Sequence, residues 1–231
     1  MPSVLITSAN RGLGLEFAVQ YLAAQWQVYG ACREPQAADK LQQLARKDPQ
    51  RLRILAMDVT DAASVAAATE RVGERGIDLL INSAGISGPS GQRTGRVDYG
   101  SWMQVLDVNT LGPMRVTEAF IEHLSRSERK LIVTITSGMG SIADNTSGGS
   151  IAYRSSKAAV NMAMRSAAID LRSRGITCVL VNPGWVRTDM GGPNATLPVD
   201  ASVSAMRALI ERLGASQSGR FFNYDGREYP W

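Results

Sequence analysis

The chain has 231 residues, of which 44% are hydrophobic, and a formal net charge of +4. This size and apolar content suit one core, so we predict a single domain over residues 1–231. The basic residues are scattered, which argues against a nucleic-acid partner. No apolar run reaches the roughly 18 residues that span a bilayer, and the amino terminus lacks a signal-peptide pattern. Two cysteines and one histidine offer no metal-ligand set, so we expect a soluble cytoplasmic protein with no metal and no membrane partner.

A nucleotide-binding turn is predicted near the amino terminus. Residues 4–7 are apolar and predict a short buried strand, and a helical pattern follows a glycine-containing turn. Glycine lets the backbone approach a pyrophosphate, and the first N–H groups of the helix are donors for it. An ordinary tight turn gives the same pattern, so the turn alone leaves both interpretations open. The candidate phosphate-binding residues are Ser8, Asn10, Arg11, Gly12, Leu13 and Gly14.

The end of the second predicted strand bears on the choice of cofactor. Residues 27–32 predict this strand, and Arg33 follows it, about twenty residues after the glycine turn. At this place a carboxylate suits the ribose 2′-hydroxyl of NAD, whereas arginine suits the 2′-phosphate of NADP. Arg33, together with Arg11, favours NADP. The carboxylate of Glu34, one residue later, leaves NAD as an alternative.

The middle of the chain continues to alternate strands and helices. Apolar runs predict strands over residues 52–57 and 77–81, and helical periodicity predicts helices over 37–46 and 64–72. The loop over 87–97 is rich in Gly, Pro and Arg and is expected to border the substrate. The residues after the first of these strands are expected to border the adenine base of the cofactor. The second strand ends in small residues that let a flat ligand lie close. The candidate cofactor residues at these two ends are Asp58, Val59, Asn82, Ala84 and Gly85.

Two polar residues, one inside a predicted helix and one at the end of a predicted strand, are singled out by their positions. A helix is predicted over residues 99–124, and Asn109 lies among its apolar positions. Asparagine is unfavourable inside a helix, so it usually satisfies a local backbone group or serves a site. Ser137 follows a strand predicted over residues 131–136, at the end where parallel sheets present their ligands. Both residues are candidates for the catalytic site.

The strongest catalytic candidate is the segment Tyr153-Arg154-Ser155-Ser156-Lys157, in a helix predicted over residues 152–172. Residues four apart share a helix face, so the Lys157 ammonium is expected beside the Tyr153 phenol. A nearby cation favours the phenolate and lowers its pKa from about 10, which makes tyrosine a usable general acid. Two surface residues of an amphipathic helix would show the same spacing. The upstream Ser137 and the glycine turn favour the catalytic interpretation.

The remaining pattern completes the predicted fold. A strand is predicted over residues 176–181, a substrate lid without regular structure over 185–198, and a last helix that Asp200 caps and that ends near residue 213. Residues 221–222 predict a final short strand. The alternation predicts an α/β fold, a single-domain Rossmann-type doubly wound parallel sheet of about seven strands with helices on both faces. The active site is expected at the carboxyl ends of the strands.

With these motifs in order, the chain resembles the short-chain dehydrogenase/reductase superfamily over essentially its whole length. Within the superfamily it is similar to the branch of small carbonyl reductases that includes sniffer and the bacterial C-factor proteins. The motifs that carry the resemblance are Thr7-Ser8-Ala9-Asn10-Arg11-Gly12-Leu13-Gly14, Asp58, Asn82-Ser83-Ala84-Gly85, Asn109, Ser137, Tyr153-x-x-x-Lys157 and Pro183-Gly184-x-Val186-x-Thr188.

The resemblance implies a role for each matched residue. Tyr153 would give a proton to the carbonyl oxygen of the substrate, and Lys157 would hold the nicotinamide ribose and lower the pKa of the phenol. Ser137 would orient the carbonyl, and Asn109 would hold a water that links Lys157 to solvent. The residues implied at the nicotinamide end, beside Tyr153 and Lys157, are Ile86, Pro183, Gly184, Val186 and Thr188.

These observations predict an NADPH-dependent carbonyl reductase whose partner is a small aldehyde or ketone. The alternative is a cofactor-binding signalling or regulatory protein of C-factor type with little turnover. Ser8 departs from the superfamily pattern, because glycine is usual there; a side chain at positive φ would cost about 1 kcal/mol. Ser83 also departs, since a second asparagine is common. A homodimer or homotetramer through the helices of Asn109 and Tyr153 is implied by the resemblance, although no hydrophobic stripe requires it.

Overall fold

The computed structural model describes all 231 residues. Seven parallel strands form one sheet in the order β3-β2-β1-β4-β5-β6-β7. This confirms the predicted Rossmann-type doubly wound sheet. The strands are β1 (Ser3–Thr7), β2 (Gln27–Cys32), β3 (Leu52–Ala56), β4 (Leu79–Asn82), β5 (Leu131–Ile135), β6 (Thr177–Asn182) and β7 (Phe221–Asn223).

Helices cover both faces of the sheet, so the central strands β1, β4, β5 and β6 are buried along their length, whereas the edge strand β3 has exposed positions. Val4 and Ile6 of β1 belong to the cluster that packs against three of the helices, whereas Leu5 belongs to the cluster on the other face. The first cluster receives α1 (Gly12–Ala23), α2 (Asp39–Lys47) and α7 (Val199–Ile210). The second receives α3 (Ala62–Val72), α5 (Gly112–Ser125) and α6 (Ile151–Asp170).

The sheet reverses its strand order between β1 and β4, and the crevice where such sheets bind ligands opens at that point. Thr7 connects the two strand ends, because its hydroxyl oxygen accepts hydrogen bonds from the backbone N–H groups of Ser83 (2.9 Å) and Ala84 (3.0 Å). The ends of β5 and β6 lie beside them in the sheet. The predicted catalytic and cofactor segments therefore share one edge.

The long helix predicted over residues 99–124 is interrupted. The α-helix α4 (Tyr99–Leu106) continues into a π-helical turn, Asp107–Leu111, before α5 begins. Pro113 has no N–H to donate to the carbonyl of Asn109 four residues earlier, so the α-helical hydrogen-bond ladder cannot continue there. The prediction of one regular helix was wrong at this turn, and the turn contains Asn109.

The start of the last helix also differs from the prediction. Pro198 takes the position before the first turn of α7, and Asp200 lies inside that turn without capping it. Proline has no side-chain oxygen to accept from the first N–H groups, so this helix start has no side-chain cap. None of the helices combines the length and the apolar character that a membrane crossing requires.

Candidate active site

Ser137 lies at the carboxyl end of the sheet, immediately after β5. It caps a short 3₁₀ turn, Gly138–Gly140, and its hydroxyl oxygen accepts a hydrogen bond from the Met139 N–H at 3.1 Å. The cap fixes the place of the hydroxyl at the point where the chain leaves the sheet. Its proton remains available to donate to an oxygen in the crevice.

Tyr153 and Lys157 lie on the first turns of α6, as their spacing predicts. The Lys157 ammonium is 5.8 Å from the centroid of the Tyr153 ring, and it donates a hydrogen bond to the carbonyl of Ile135 at 3.1 Å. Lys157 is only 4% exposed and has no carboxylate partner. Burial lowers the pKa of its ammonium to about 8. A buried ammonium with one acceptor has two N–H groups to offer a ligand.

The expected lowering of the Tyr153 pKa is not what the structure shows. Burial raises the pKa of this phenol, and hydrogen bonding to the Ser137 side chain only partly opposes that rise. Lys157 does not reverse this rise in the free protein; its ammonium lies 5.8 Å from the centre of the ring and bonds to the Ile135 carbonyl. The phenol is therefore held in its protonated form, which is the form a general acid needs.

The Asn109 side chain is buried and hydrogen-bonds to the backbone of the loop after β4. Its amide oxygen accepts from the Ile86 N–H at 2.8 Å, and its amide nitrogen donates to the Ile86 carbonyl at 2.8 Å and to the Ser156 hydroxyl at 3.0 Å. A Cβ at Gly85 would lie 3.4 Å from the Asn109 amide oxygen and 3.6 Å from the Lys157 nitrogen. Gly85, Asn109 and Lys157 thus meet at one point.

The glycine turn after β1 combines a close backbone approach with an uncapped helix start. Arg11 precedes α1 without a side-chain cap, so no side chain occupies the first N–H groups of this helix. A Cβ at Gly14 would lie 2.3 Å from the Ser8 carbonyl oxygen, which leaves room only for glycine. Asn10 and Leu13 are half-buried at the same turn.

Ser8 occupies the left-handed region, with a φ of 56°, which is the backbone conformation expected where glycine is usual. We expect Ser8→Gly to raise the free energy of unfolding by about 1 kcal/mol, because the penalty of a Cβ at positive φ is removed. Urea unfolding measures the change. Gln25→Gly, at a φ of 64° away from the site, should give a similar gain. A loss of stability in Ser8→Gly would contradict the strain at this position.

The segment of residues 185–198 folds back over the glycine turn. A Cβ at Gly12 would lie 3.6 Å from the Thr188 methyl group, and the Arg11 guanidinium forms an exposed ion pair with Asp189 at 3.4 Å. Val186 forms an isolated parallel bridge with Leu197. The predicted cofactor residues of the glycine turn and of the 185–198 segment therefore lie close together. Just before this segment, the Pro183 carbonyl accepts a hydrogen bond from the Ser202 hydroxyl at 2.7 Å.

Arg33 and Asp58 are neighbours at the ends of β2 and β3. Burial opposes the charge of the Asp58 carboxylate, but hydrogen bonds from the backbone and hydroxyl of Thr60, with the charges of Arg33 and Arg115, hold its pKa below its usual range. Arg33 is exposed, and so is Glu34. Val59 is buried, and its carbonyl accepts from Arg115 at 3.2 Å.

Asn82 is the predicted cofactor residue that points away from the crevice. Its amide nitrogen donates to the hydroxyls of Thr117 (3.2 Å) and Thr134 (3.4 Å), between α5 and β5. The side chain is 2% exposed. The Asn82 side chain therefore lies between the sheet and α5, and only the Asn82 backbone lies at the end of β4.

The family model of short chain dehydrogenases matches residues 2–197. The chain belongs to this family.

Relatives extend the match to the whole length of this short-chain dehydrogenase. A carbonyl reductase from chicken fatty liver, solved with NADPH bound, has a TM-score of 0.94 and 37% identity over 100% of this chain and 99% of that one. The carbonyl reductase Sniffer of D. melanogaster has a TM-score of 0.94 and 34% identity over 100% of both chains. C-signal of Myxococcus xanthus is 50% identical over 155 residues, which are 67% of this chain and 93% of that protein. These likenesses confirm the resemblance to the sniffer and C-factor branch.

The carboxyl-terminal tail of this short-chain dehydrogenase was not expected at the site. The Tyr229 hydroxyl donates to the Asp144 carboxylate at 2.8 Å, and the Trp231 carbonyl accepts from the N–H groups of Ile142 (2.7 Å) and Ala143 (2.9 Å). A Cβ at Gly138 would lie 2.6 Å from the Tyr229 oxygen. The tail thus holds the loop that follows Ser137. No motif marks such a contact, since the partners are far apart in sequence.

Proposed function

We propose that this short-chain dehydrogenase is an NADPH-dependent carbonyl reductase that interconverts a small aldehyde or ketone and its alcohol. The observation that carries the proposal is the cluster of Ser137, Tyr153 and Lys157 at the carboxyl edge of the sheet. The phenol is protonated and close to a hydroxyl, and the lysine is a buried cation with unused donors. This arrangement suits proton donation to an oxygen that gains charge.

The residues present fit a dinucleotide. The glycine turn leaves the first N–H groups of α1 without a side-chain acceptor, and the Lys157 ammonium has donors for two ribose hydroxyls. Ile86 and Pro183 would border the nicotinamide ring, with Thr188 near its amide or a phosphate. When bound, NADPH supplies the hydride that adds to the carbonyl carbon.

The proton step is assigned to Tyr153. Its O–H bond breaks as the carbonyl oxygen takes the proton, so the products are the alcohol and NADP⁺. Ser137 donates a hydrogen bond to the same oxygen and orients it. The tyrosinate left behind is stabilised by the Lys157 ammonium and is then reprotonated.

Asn109 is proposed to support that reprotonation. Its side-chain amide is occupied by Ile86 and Ser156, so a water at this residue would have to lie against the backbone of the π-helical turn. The Asn109 carbonyl lacks its α-helical donor, because residue 113 is proline. This carbonyl is therefore the acceptor we propose for a water that links Lys157 to solvent.

Arg33 is proposed to recognise the 2′-phosphate of NADPH. We expect Arg33→Ala to weaken NADPH binding about tenfold and to leave NADH binding within about twofold, because a charge-assisted contact to the phosphate is lost. Titration of tryptophan fluorescence with each nucleotide measures both dissociation constants. The matched control is Glu34→Ala at the adjacent position. If Glu34→Ala weakens NADH binding while Arg33→Ala changes nothing, the NAD alternative replaces the NADP assignment.

A regulatory protein of C-factor type is the second candidate, and the 50% identity to C-signal favours it. The two functions differ in turnover. Oxidation of NADPH in the presence of an aldehyde or ketone from a test panel, measured as a loss of NADPH absorbance, supports the reductase. Tight NADPH binding without turnover of any carbonyl compound would support the regulatory function instead.

Residues 185–198 are proposed as the substrate lid of the single domain. Trp185 and Met190 are about half exposed on this segment, and the Trp185 indole N–H donates to the Gly191 carbonyl at 2.9 Å. An exposed indole and an exposed thioether on one segment support the proposal, because such side chains can cover an apolar part of a substrate. A dimer or tetramer through α4, α5 and α6 is proposed from the resemblance, and light scattering measures it.

A further inference from the structure

A cavity of about 530 Å³ opens beside the proposed catalytic residues. It lies between the loop that follows Ser137, the first turns of α6 and the loop after β4. Met139, whose N–H bonds to the Ser137 hydroxyl, is part of its wall, and so is Arg154, the residue after Tyr153. None of the residues proposed to bind the cofactor lines it. Ser137, Tyr153 and Lys157 do not line it either, so the cavity adjoins the proposed reaction site through the loop after Ser137 and the first turns of α6. A substrate longer than its reacting carbonyl would extend toward this cavity.

The charged residues that line this cavity are all basic. Two arginines, Arg93 and Arg154, line it, and no aspartate or glutamate does. Neither guanidinium forms an ion pair; the seven ion pairs of the protein involve other arginines. Neither guanidinium in the wall is therefore neutralised by a direct carboxylate contact.

The two arginines converge on one turn of the chain. Arg154 donates from Nε to the Gly148 carbonyl at 3.1 Å and from Nη2 to the Ser147 hydroxyl at 2.8 Å. A Cβ at Gly149 would lie 3.7 Å from Nε of Arg93. The guanidiniums therefore approach adjacent glycines, and the partners of Arg154 are neutral. The hydrogen bonds orient the Arg154 guanidinium without pairing its charge with a carboxylate, and a guanidinium in that state binds anionic oxygens well.

We propose that this cavity selects carbonyl compounds that carry an anionic group, such as a carboxylate, away from the reacting carbonyl. Arg93 and Arg154 bind the anionic group while the carbonyl lies at Tyr153 and Ser137. The proposal rests on the proposed reductase function, since it names the substrate class of the same site. Arg93 is exposed, so solvent screens its contribution and the preference weakens as salt is added.

The test uses straight-chain aldehydes of increasing length that end in a carboxylate, each paired with its methyl ester. At the best length, kcat/KM for the carboxylate should exceed that for the ester about tenfold. Arg93→Gln and Arg154→Gln should each remove most of this ratio. Arg96→Gln is the matched control, because Arg96 lies in the same loop, opposite Arg93 in an isolated bridge, and does not line the cavity. It should leave the ratio unchanged.

The outcomes separate this proposal from the reductase assignment. Equal turnover of esters and carboxylates at every length would overturn the anion site and leave the reductase in place. If no aldehyde is reduced, the reductase assignment fails, and calorimetric titration with glutarate decides the anion site alone. Glutarate binding that Arg93→Gln and Arg154→Gln abolish, and Arg96→Gln does not, supports the site. Absence of glutarate binding, or binding that both variants retain, overturns it.

Discussion

Replacing Tyr153 by phenylalanine is expected to lower kcat for carbonyl reduction about a thousandfold, while the dissociation constant of NADPH changes by less than about threefold. Positioned proton donors contribute roughly 10²- to 10⁴-fold to a rate. The phenol is the group in this site that is held protonated next to Ser137, and phenylalanine removes only its hydroxyl. The ring and its packing remain, so binding should persist. Steady-state kinetics and fluorescence titration measure the two quantities.

The matched control for this variant is Tyr99→Phe. Tyr99 is 71% exposed at the start of α4, so loss of its hydroxyl should leave kcat within about twofold. Substantial residual turnover in Tyr153→Phe would exclude Tyr153 as the general acid. An equal loss of NADPH binding would instead show that the hydroxyl serves the cofactor.

Replacing Lys157 by methionine is expected to abolish measurable turnover and, at the same time, to raise the free energy of unfolding by about 2 kcal/mol at pH 7, measured without added nucleotide. A buried charge without a carboxylate partner is destabilising, and an apolar side chain of similar volume removes that cost. The lost hydrogen bond to the Ile135 carbonyl offsets part of the gain. Urea unfolding and steady-state kinetics measure the two effects.

The pH dependence follows from the lowered pKa of Lys157. Its folded pKa is about 8, against an ordinary value of 10.5. Between these values the unfolded chain binds more protons, so the stability of the wild type rises with pH in this window. Below pH 8 the cost of the buried charge is fully present. The advantage of Lys157→Met should therefore be constant below about pH 8 and shrink as the pH rises toward 10.5.

Lys47→Met serves as the control for this second prediction. Lys47 is exposed at the end of α2, so its replacement should change the free energy of unfolding by less than about 0.5 kcal/mol at any pH in the window. A lower stability of Lys157→Met than of the wild type at pH 7 would show that the ammonium is better compensated than its burial indicates.

The sequence by itself determined the fold and the positions of the candidate catalytic residues. Apolar runs of strand length alternate with helical periodicity, and the bounds predicted for β2 agree with the structure residue for residue. Parallel strands separated by helices present their carboxyl ends at one edge. Ser137 follows from that rule, because it lies directly after a strand. The Tyr153 helix follows from its own helical pattern, and a long loop separates it from the end of β5.

Two prolines explain where the helices differ from the predicted ones. Pro113, four residues after Asn109, removes the donor that a regular helix would need, and the π-helical turn lies there. Pro198 likewise precedes the last helix, and Asp200, the predicted cap, lies inside its first turn. At both places proline sets the local hydrogen bonding.

Other features were decided only by the tertiary structure. The pKa of Tyr153 depends on burial, which raises it, and the spacing to Lys157 says nothing about desolvation. The contact of Tyr229 with Asp144 joins residues 85 positions apart, and the approach of Arg93 and Arg154 to one turn depends on how two loops pack. Local patterns specify which elements form, because helix and strand periodicities act over a few residues. Burial, charge environment and loop contacts arise from distant segments, so they become defined only when the chain is folded.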